Sequence, residues 1–209
     1  MKSPIALLLA CTIALSAGLP ARAAGEQRVV LAGGCFWGMQ AVFESLRGVT
    51  SAVAGYAGGN AATAHYEIVS TGMTGHAESV EVTYDPARIS FKQLLDVYFL
   101  THDPTELNRQ GPDEGTQYRS EIFYTTSAQQ AEAAAYIAAL GRKHAYDGPV
   151  VTKLETLHGF YAAEAYHQDF AFHNPDNEYI VVNDLPKLRK LKETYPALVK
   201  PNAPLISQL

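Results

Sequence analysis

Cysteine is scarce in this chain: two in 209 residues, Cys11 and Cys35. That excludes a disulfide-dense scaffold and any zinc site needing several thiolates, and it allows at most one disulfide within the chain. Basic charge is short as well. Against 16 Lys and Arg stand 21 Asp and Glu, a net −5 that disfavours nucleic acid as a partner, because such binders carry a clustered basic surface. The seven histidines lack ligand spacing: His167 and His173 are six apart, His76 lies two before Glu78, and no H-E-x-x-H occurs, so no metal is expected. Gly33-Gly34 is followed by neither the dinucleotide-binding nor the Walker pattern. No internal repeat, low-complexity tract or flexible linker follows residue 24. What remains is 47% hydrophobic and only 18% charged, too apolar for a disordered chain and long enough for one domain with its own core.

Residues 1–23 read as a cleaved secretory signal. Lys2 gives a positive start, Ile5 to Leu19 carry no charge, and Ala21-Arg22-Ala23 is a small-x-small site. The stretch is too short for an easy membrane span, so no stable membrane insertion is expected. A buried N-terminal helix is the plain alternative. Leu8-Leu9-Ala10-Cys11 also resembles a lipoprotein processing site, but the apolar run before Cys11 is short and Thr12 to Leu19 would make a greasy tether. The expectation is a soluble exported protein, periplasmic or secreted, with Cys11 lost and 24–209 forming one domain.

Apolar periodicity predicts a strand over Gln27 to Ala32, then a helix bearing Met39, Val42, Phe43 and Leu46, closed by Gly48. Strands follow over Val49 to Tyr56 and Glu78 to Tyr84, the latter with Val80, Val82 and Tyr84 on one face. Ser90 and Gln93 form a capping box for a helix carrying Phe91, Leu94, Leu95, Tyr98 and Phe99. A strand is predicted over Tyr118 to Tyr124, then a helix capped by Ser127 with Gln130. Beyond lie a strand from Val150 to Glu155, a helix near Tyr161 to Phe172, and a basic helix from Leu185 to about Tyr195. The expected class is α+β: a two-layer ferredoxin-like βαββαβ core, helices on one face of the sheet, with a C-terminal helical extension. That topology places the end of strand one, Gly34-Cys35, beside the start of strand three at Glu78, and the start of strand four, near Tyr118, at the same edge.

Cys35 opens a helix after a Gly-Gly turn, where backbone N–H groups favour a thiolate and lower the thiol pKa. A lone cysteine is equally often a small buried hydrophobe. Glu78 shares the parity of Val80 and Val82, so it faces the apolar side, where burial raises its pKa and makes it a general acid. The competing reading is a frayed strand end turned to water. Phe36 and Trp37, the only tryptophan, could hold an S-methyl group or could be ordinary core aromatics. Tyr66 and Tyr118 could supply hydroxyls at the same edge.

The run GCFWG, Gly34 to Gly38, resembles the active-site motif of the A-type peptide methionine sulfoxide reductases. GYAGG (Gly55 to Gly59), GHAE (Gly75 to Glu78), HDP (His102 to Pro104), RQGPDEGTQYRS (Arg109 to Ser120) and YHQDF (Tyr166 to Phe170) follow in the family's order, so the likeness spans about residues 28 to 195. The resemblance implies Cys35 as nucleophile, Glu78 as proton donor, and Tyr66 and Tyr118 as binders of the sulfoxide oxygen. It implies Asp113 as a further active-site residue, and Phe36 and Trp37 as walls of a methyl pocket. It further implies action on the S epimer, free or in oxidised proteins, through a Cys35 sulfenic acid with no metal or organic cofactor; a monomer is expected separately. Many members carry further cysteines that resolve the sulfenic acid. Residues 198–209 contain none, so an external thiol, such as a thioredoxin-like protein, must act. Two rivals stay open: a one-cysteine thiol peroxidase, and an exported module that binds oxidised peptides without turnover.

Overall fold

The computed structural model describes residues 25–206; the expected signal over residues 1–23, with Cys11, lies outside the described residues. The elements are β1 (Gln27–Gly33), α1 (Phe36–Glu44), β2 (Val49–Ala57), β3 (Ala77–Tyr84), α2 (Phe91–Thr101), β4 (Ser120–Tyr124), α3 (Ser127–Arg142), β5 (Lys153–Thr156), β6 (Phe160–Ala162) and α4 (Leu185–Thr194). They build one six-stranded sheet in the order β5-β4-β1-β3-β2-β6. Its centre, β4-β1-β3-β2, is the expected ferredoxin-like order with antiparallel neighbours. Two additions widen it: β6 pairs antiparallel with β2, and β5 lies parallel to β4.

In β3, Glu78, Val80, Val82 and Tyr84 are buried; on the other face Glu81 and Thr83 are half-buried, while Ser79 is buried as well, its hydroxyl donating to the Ala77 carbonyl at 2.9 Å. The face of Val80 and Val82 packs under α1, α2 and α4 with Leu31, Met39, Phe43, Leu94, Leu95, Leu188 and Leu191 in one continuous core. Each such side chain fully removed from water contributes about 1.5–3 kcal/mol, so this face rather than the other holds the fold. The opposite face keeps only a small cluster of Val30, Ala32, Ala57, Ala77 and Phe123.

Local chemistry moves several predicted boundaries. The Ser90–Gln93 capping box forms as expected. The strand predicted from Tyr118 begins at Ser120, because the Tyr118 N–H bonds the Gly115 carbonyl at 3.0 Å and closes a 3₁₀ turn over Thr116–Tyr118. The cap of α3 is Thr126 rather than Ser127, its hydroxyl accepting from the Gln129 N–H at 3.2 Å. α1 ends at Glu44, and Leu46 instead bridges to Val199. β5 starts at Lys153, since the Val151 N–H is taken by the Pro104 carbonyl. The helix predicted over Tyr161 to Phe172 is absent. That segment is β6, a 3₁₀ turn over Ala165–His167 and a single helical turn over Phe170–His173. Asp169, at φ 54°, interrupts the helix. The Gln168 amide extends the sheet edge instead, bonding both the N–H (3.0 Å) and the carbonyl (2.9 Å) of Ala54.

Candidate active site

β1 ends at Gly33, and Gly34 turns the chain at φ 94°, where a Cβ would strike the Gln110 side chain. Only glycine makes that turn without strain. Cys35 follows as the N-cap of α1; its side chain makes no capping bond and is 8% exposed. Glu78, at the start of β3, is buried at the same edge, and its Oε2 accepts the Phe36 N–H at 3.1 Å. The carboxyl therefore binds the first amide of α1. Burial pushes Glu78 up to about 8, the Phe36 N–H opposes this, and Asp113 adds to it.

The Cys35 thiol differs from the expectation. Its place at a helix N-terminus predicts a lowered pKa, yet burial pushes it well above the usual thiol range. The Glu78 and Asp184 charges add to that, against the Trp37 N–H and Lys187. Desolvation of a thiolate outweighs one amide donor here. At neutral pH both Cys35 and Glu78 hold their protons.

The remaining predicted residues gather around this pair. Tyr118 is raised by burial and then by Glu78, Asp113, Cys35 and Tyr66; Tyr66 is raised by burial and then by Glu78 and Cys35. Asp113, in a two-stranded hairpin of Arg109–Gln110 with Asp113–Glu114, accepts a very short hydrogen bond from the Tyr179 hydroxyl. Phe36 is buried against Tyr56 and His167, with ring centroids 5.9 and 5.0 Å away. Trp37 is half-buried and stacks on Phe170 at 3.8 Å, with Tyr179 edge-on at 5.8 Å. Its indole N–H donates to His167 Nδ1 at 3.1 Å. That bond puts the imidazole proton on Nε2, which is buried and has no partner among the described residues. Burial lowers the His167 pKa and keeps it neutral.

His167, Phe170 and Tyr179 were not singled out from sequence. YHQDF contains the first two and could have flagged them; nothing in the pattern marks Tyr179. A second polar constellation is structural. His102 Nε2 lies 2.8 Å from Ser120 Oγ, but the ring is oriented by the Tyr98 carbonyl, both side chains are buried, and Ser120 also bonds Tyr98 and Thr152. Burial pushes His102 down to about 4. Among the described residues, no group of three or more His, Cys, Asp or Glu could hold a metal ion.

The family model for peptide methionine sulfoxide reductase matches residues 27–198. Peptide methionine sulfoxide reductase MsrA 2 of Mesorhizobium japonicum is 54% identical over 177 residues, covering 84% of this chain and 91% of that protein. The protein of the same name from Synechocystis is 51% identical, covering 83% and 81%. Among solved structures, reduced Mxr1 from Saccharomyces cerevisiae superposes with a TM-score of 0.69 at 34% identity, over 73% of this chain and 87% of that one. Methionine sulfoxide reductase A of Corynebacterium diphtheriae gives 0.64 at 32%, over 76% and 77%. The chain belongs to the peptide methionine sulfoxide reductase family, a family of oxidoreductases.

Proposed function

We propose that the protein reduces the S epimer of methionine sulfoxide, free or in oxidised proteins, to methionine, with Cys35 as nucleophile and Glu78 as proton donor. One observation carries this reading: a carboxyl protonated up to about pH 8 is bonded to the amide beside the only cysteine of residues 24–209. Because Oε2 accepts the Phe36 N–H, the other oxygen carries the proton and is the donor to a sulfoxide oxygen. The substrate methyl group lies against Phe36 and Trp37, with the Tyr66 and Tyr118 hydroxyls as further donors to the oxygen and Asp113 holding Tyr179 against the indole.

The proton inventory suits a dry site. Glu78 gives its proton to the oxygen as the Cys35 sulfur attacks the substrate sulfur, and the thiol proton replaces it. Overall, Cys35–SH and sulfoxide become Cys35–SOH and thioether, and no net charge is buried. Two external thiols then restore Cys35–SH, with one disulfide and one water formed. The reductant is external because residues 24–209 hold no second thiol, and a thioredoxin-like protein, a glutaredoxin system or a small thiol would each serve. Removal of residues 1–23 on export would make this a repair enzyme for oxidised proteins outside the cytoplasm, acting as a monomer. The steady-state test is turnover of the two separated epimers of N-acetyl-methionine sulfoxide with excess dithiothreitol. Turnover of the S epimer alone is expected. Equal turnover of both, or rapid peroxide consumption with neither reduced, would favour the peroxidase reading.

A further inference from the structure

A buried ion pair with no part in the chemistry above lies one helical turn from Cys35. Asp184 ends a π-helical turn over Ile180–Asp184 that leads into α4, and it is fully buried. Its Oδ1 lies 2.0 Å from where a Cβ on Gly38 would stand, so the carboxylate occupies the space that a side chain in the first turn of α1 would take. Lys187 Nζ donates to the same oxygen at 2.9 Å, while Oδ2 is buried without a partner among the described residues. A buried pair with an unsatisfied oxygen is a poor source of stability. It has an electrostatic consequence instead. Burial raises the Asp184 pKa while the Lys187 ammonium opposes that and favours the carboxylate, which brings negative charge to the helix end whose partial positive charge would otherwise serve a Cys35 thiolate.

We propose that Asp184 and Lys187 are positioning residues that tune the ionisation of Cys35 from the first turn of α1, the carboxylate adding to burial in holding the thiol protonated at rest and the ammonium limiting that effect. Glu78 from β3 and the Tyr66, Tyr118 and Tyr179 hydroxyls also interact electrostatically with Cys35, and Asp113 acts on Glu78; among the described residues Lys187 is the cation that lowers the thiol pKa. A thiol held protonated reacts slowly with stray peroxide, so a cysteine without a resolving partner is spared the irreversible sulfinic step. The glycine at 38 follows from the same arrangement, since any side chain there would evict the carboxylate. The inference rests on Cys35 being the nucleophile.

The test is the pH profile of Cys35 alkylation by iodoacetamide in the full chain, followed on the Cys35 peptide by mass spectrometry so that Cys11 does not contribute. Asp184→Asn should lower the midpoint by about one pH unit, a roughly tenfold faster alkylation at pH 7, and should speed peroxide inactivation. Adding Lys187→Met to that variant should move the midpoint back up. Gly38→Ala, which displaces the carboxylate without altering either charge, should shift it in the same direction as Asp184→Asn and serves if that variant does not fold. A midpoint unchanged or raised in the folded variants would overturn the proposal. Turnover retained by Cys35→Ser would instead overturn the nucleophile assignment and leave the alkylation result standing.

Discussion

Two glutamates stand at the two ends of α1, and burial pushes both to about 8. At the N-terminal end, Glu78 binds the Phe36 amide beside a thiol. At the C-terminal end, Glu44 sits by a second carboxyl, Asp169, while Lys200 bonds the Glu44 backbone carbonyl at 2.8 Å. Glu44 also borders a cavity of about 360 Å³ with Val49, Phe172 and Asn202. Cavity and raised carboxyl together would nominate the wrong end. A retained proton becomes a catalytic proton only where a nucleophile and a polar pocket share it. At Glu44 the same proton ties α1 to Asp169 and to the strained turn that follows it.

Four substitutions sharpen that contrast. Cys35→Ser removes the proposed nucleophile and should lower turnover by at least about 1,000-fold, measured as methionine released under excess dithiothreitol. Glu78→Gln removes the proposed proton donor without removing the volume and should cost about 10²–10⁴ in kcat. The wild-type rate should fall as pH rises through about 8, where Glu78 loses its proton, and the variant should lose that limb. His167→Phe deprives the Trp37 indole N–H of its acceptor and should raise KM roughly tenfold, with kcat changed less, if one partly buried hydrogen bond holds the pocket wall. Glu44→Gln should leave kcat/KM within about twofold, since a site remote from the chemistry offers no transition-state interaction. Its effect is on stability. A carboxyl whose pKa rises on folding stabilises at low pH and loses that contribution between about 4.5 and about 8. Thermal denaturation should therefore show the variant gaining on wild type as pH rises through that window. Loss of activity in Glu44→Gln equal to that of Glu78→Gln would erase the contrast.

The sheet order was legible because it follows from strand alternation and chain order: Val80, Val82 and Tyr84 face one side, and Cys35 and Glu78 meet at one edge. The ends of elements were less legible where side chains replace backbone partners, as Thr126 and Gln168 do. Asp169 breaks the helix expected near Tyr161 to Phe172, where the apolar pattern is less clear than upstream, and no periodicity reports a left-handed residue. The raised thiol pKa was missed for a related reason. A helix N-terminus can be read from sequence, whereas desolvation and the charge of Asp184, 149 positions away in the chain, arise only on folding. Tyr179 enters through the same long-range closure.

The most direct measurement is a single turnover of the protein, reduced and freed of reductant, with excess S epimer, scoring methionine released and dimedone adduct on the Cys35 peptide. The expected result is one methionine per chain, with a matching amount of trapped sulfenic acid at Cys35. Methionine without any adduct or lost thiol at Cys35, or no methionine from a chain whose Cys35 was verified free beforehand, would contradict the account.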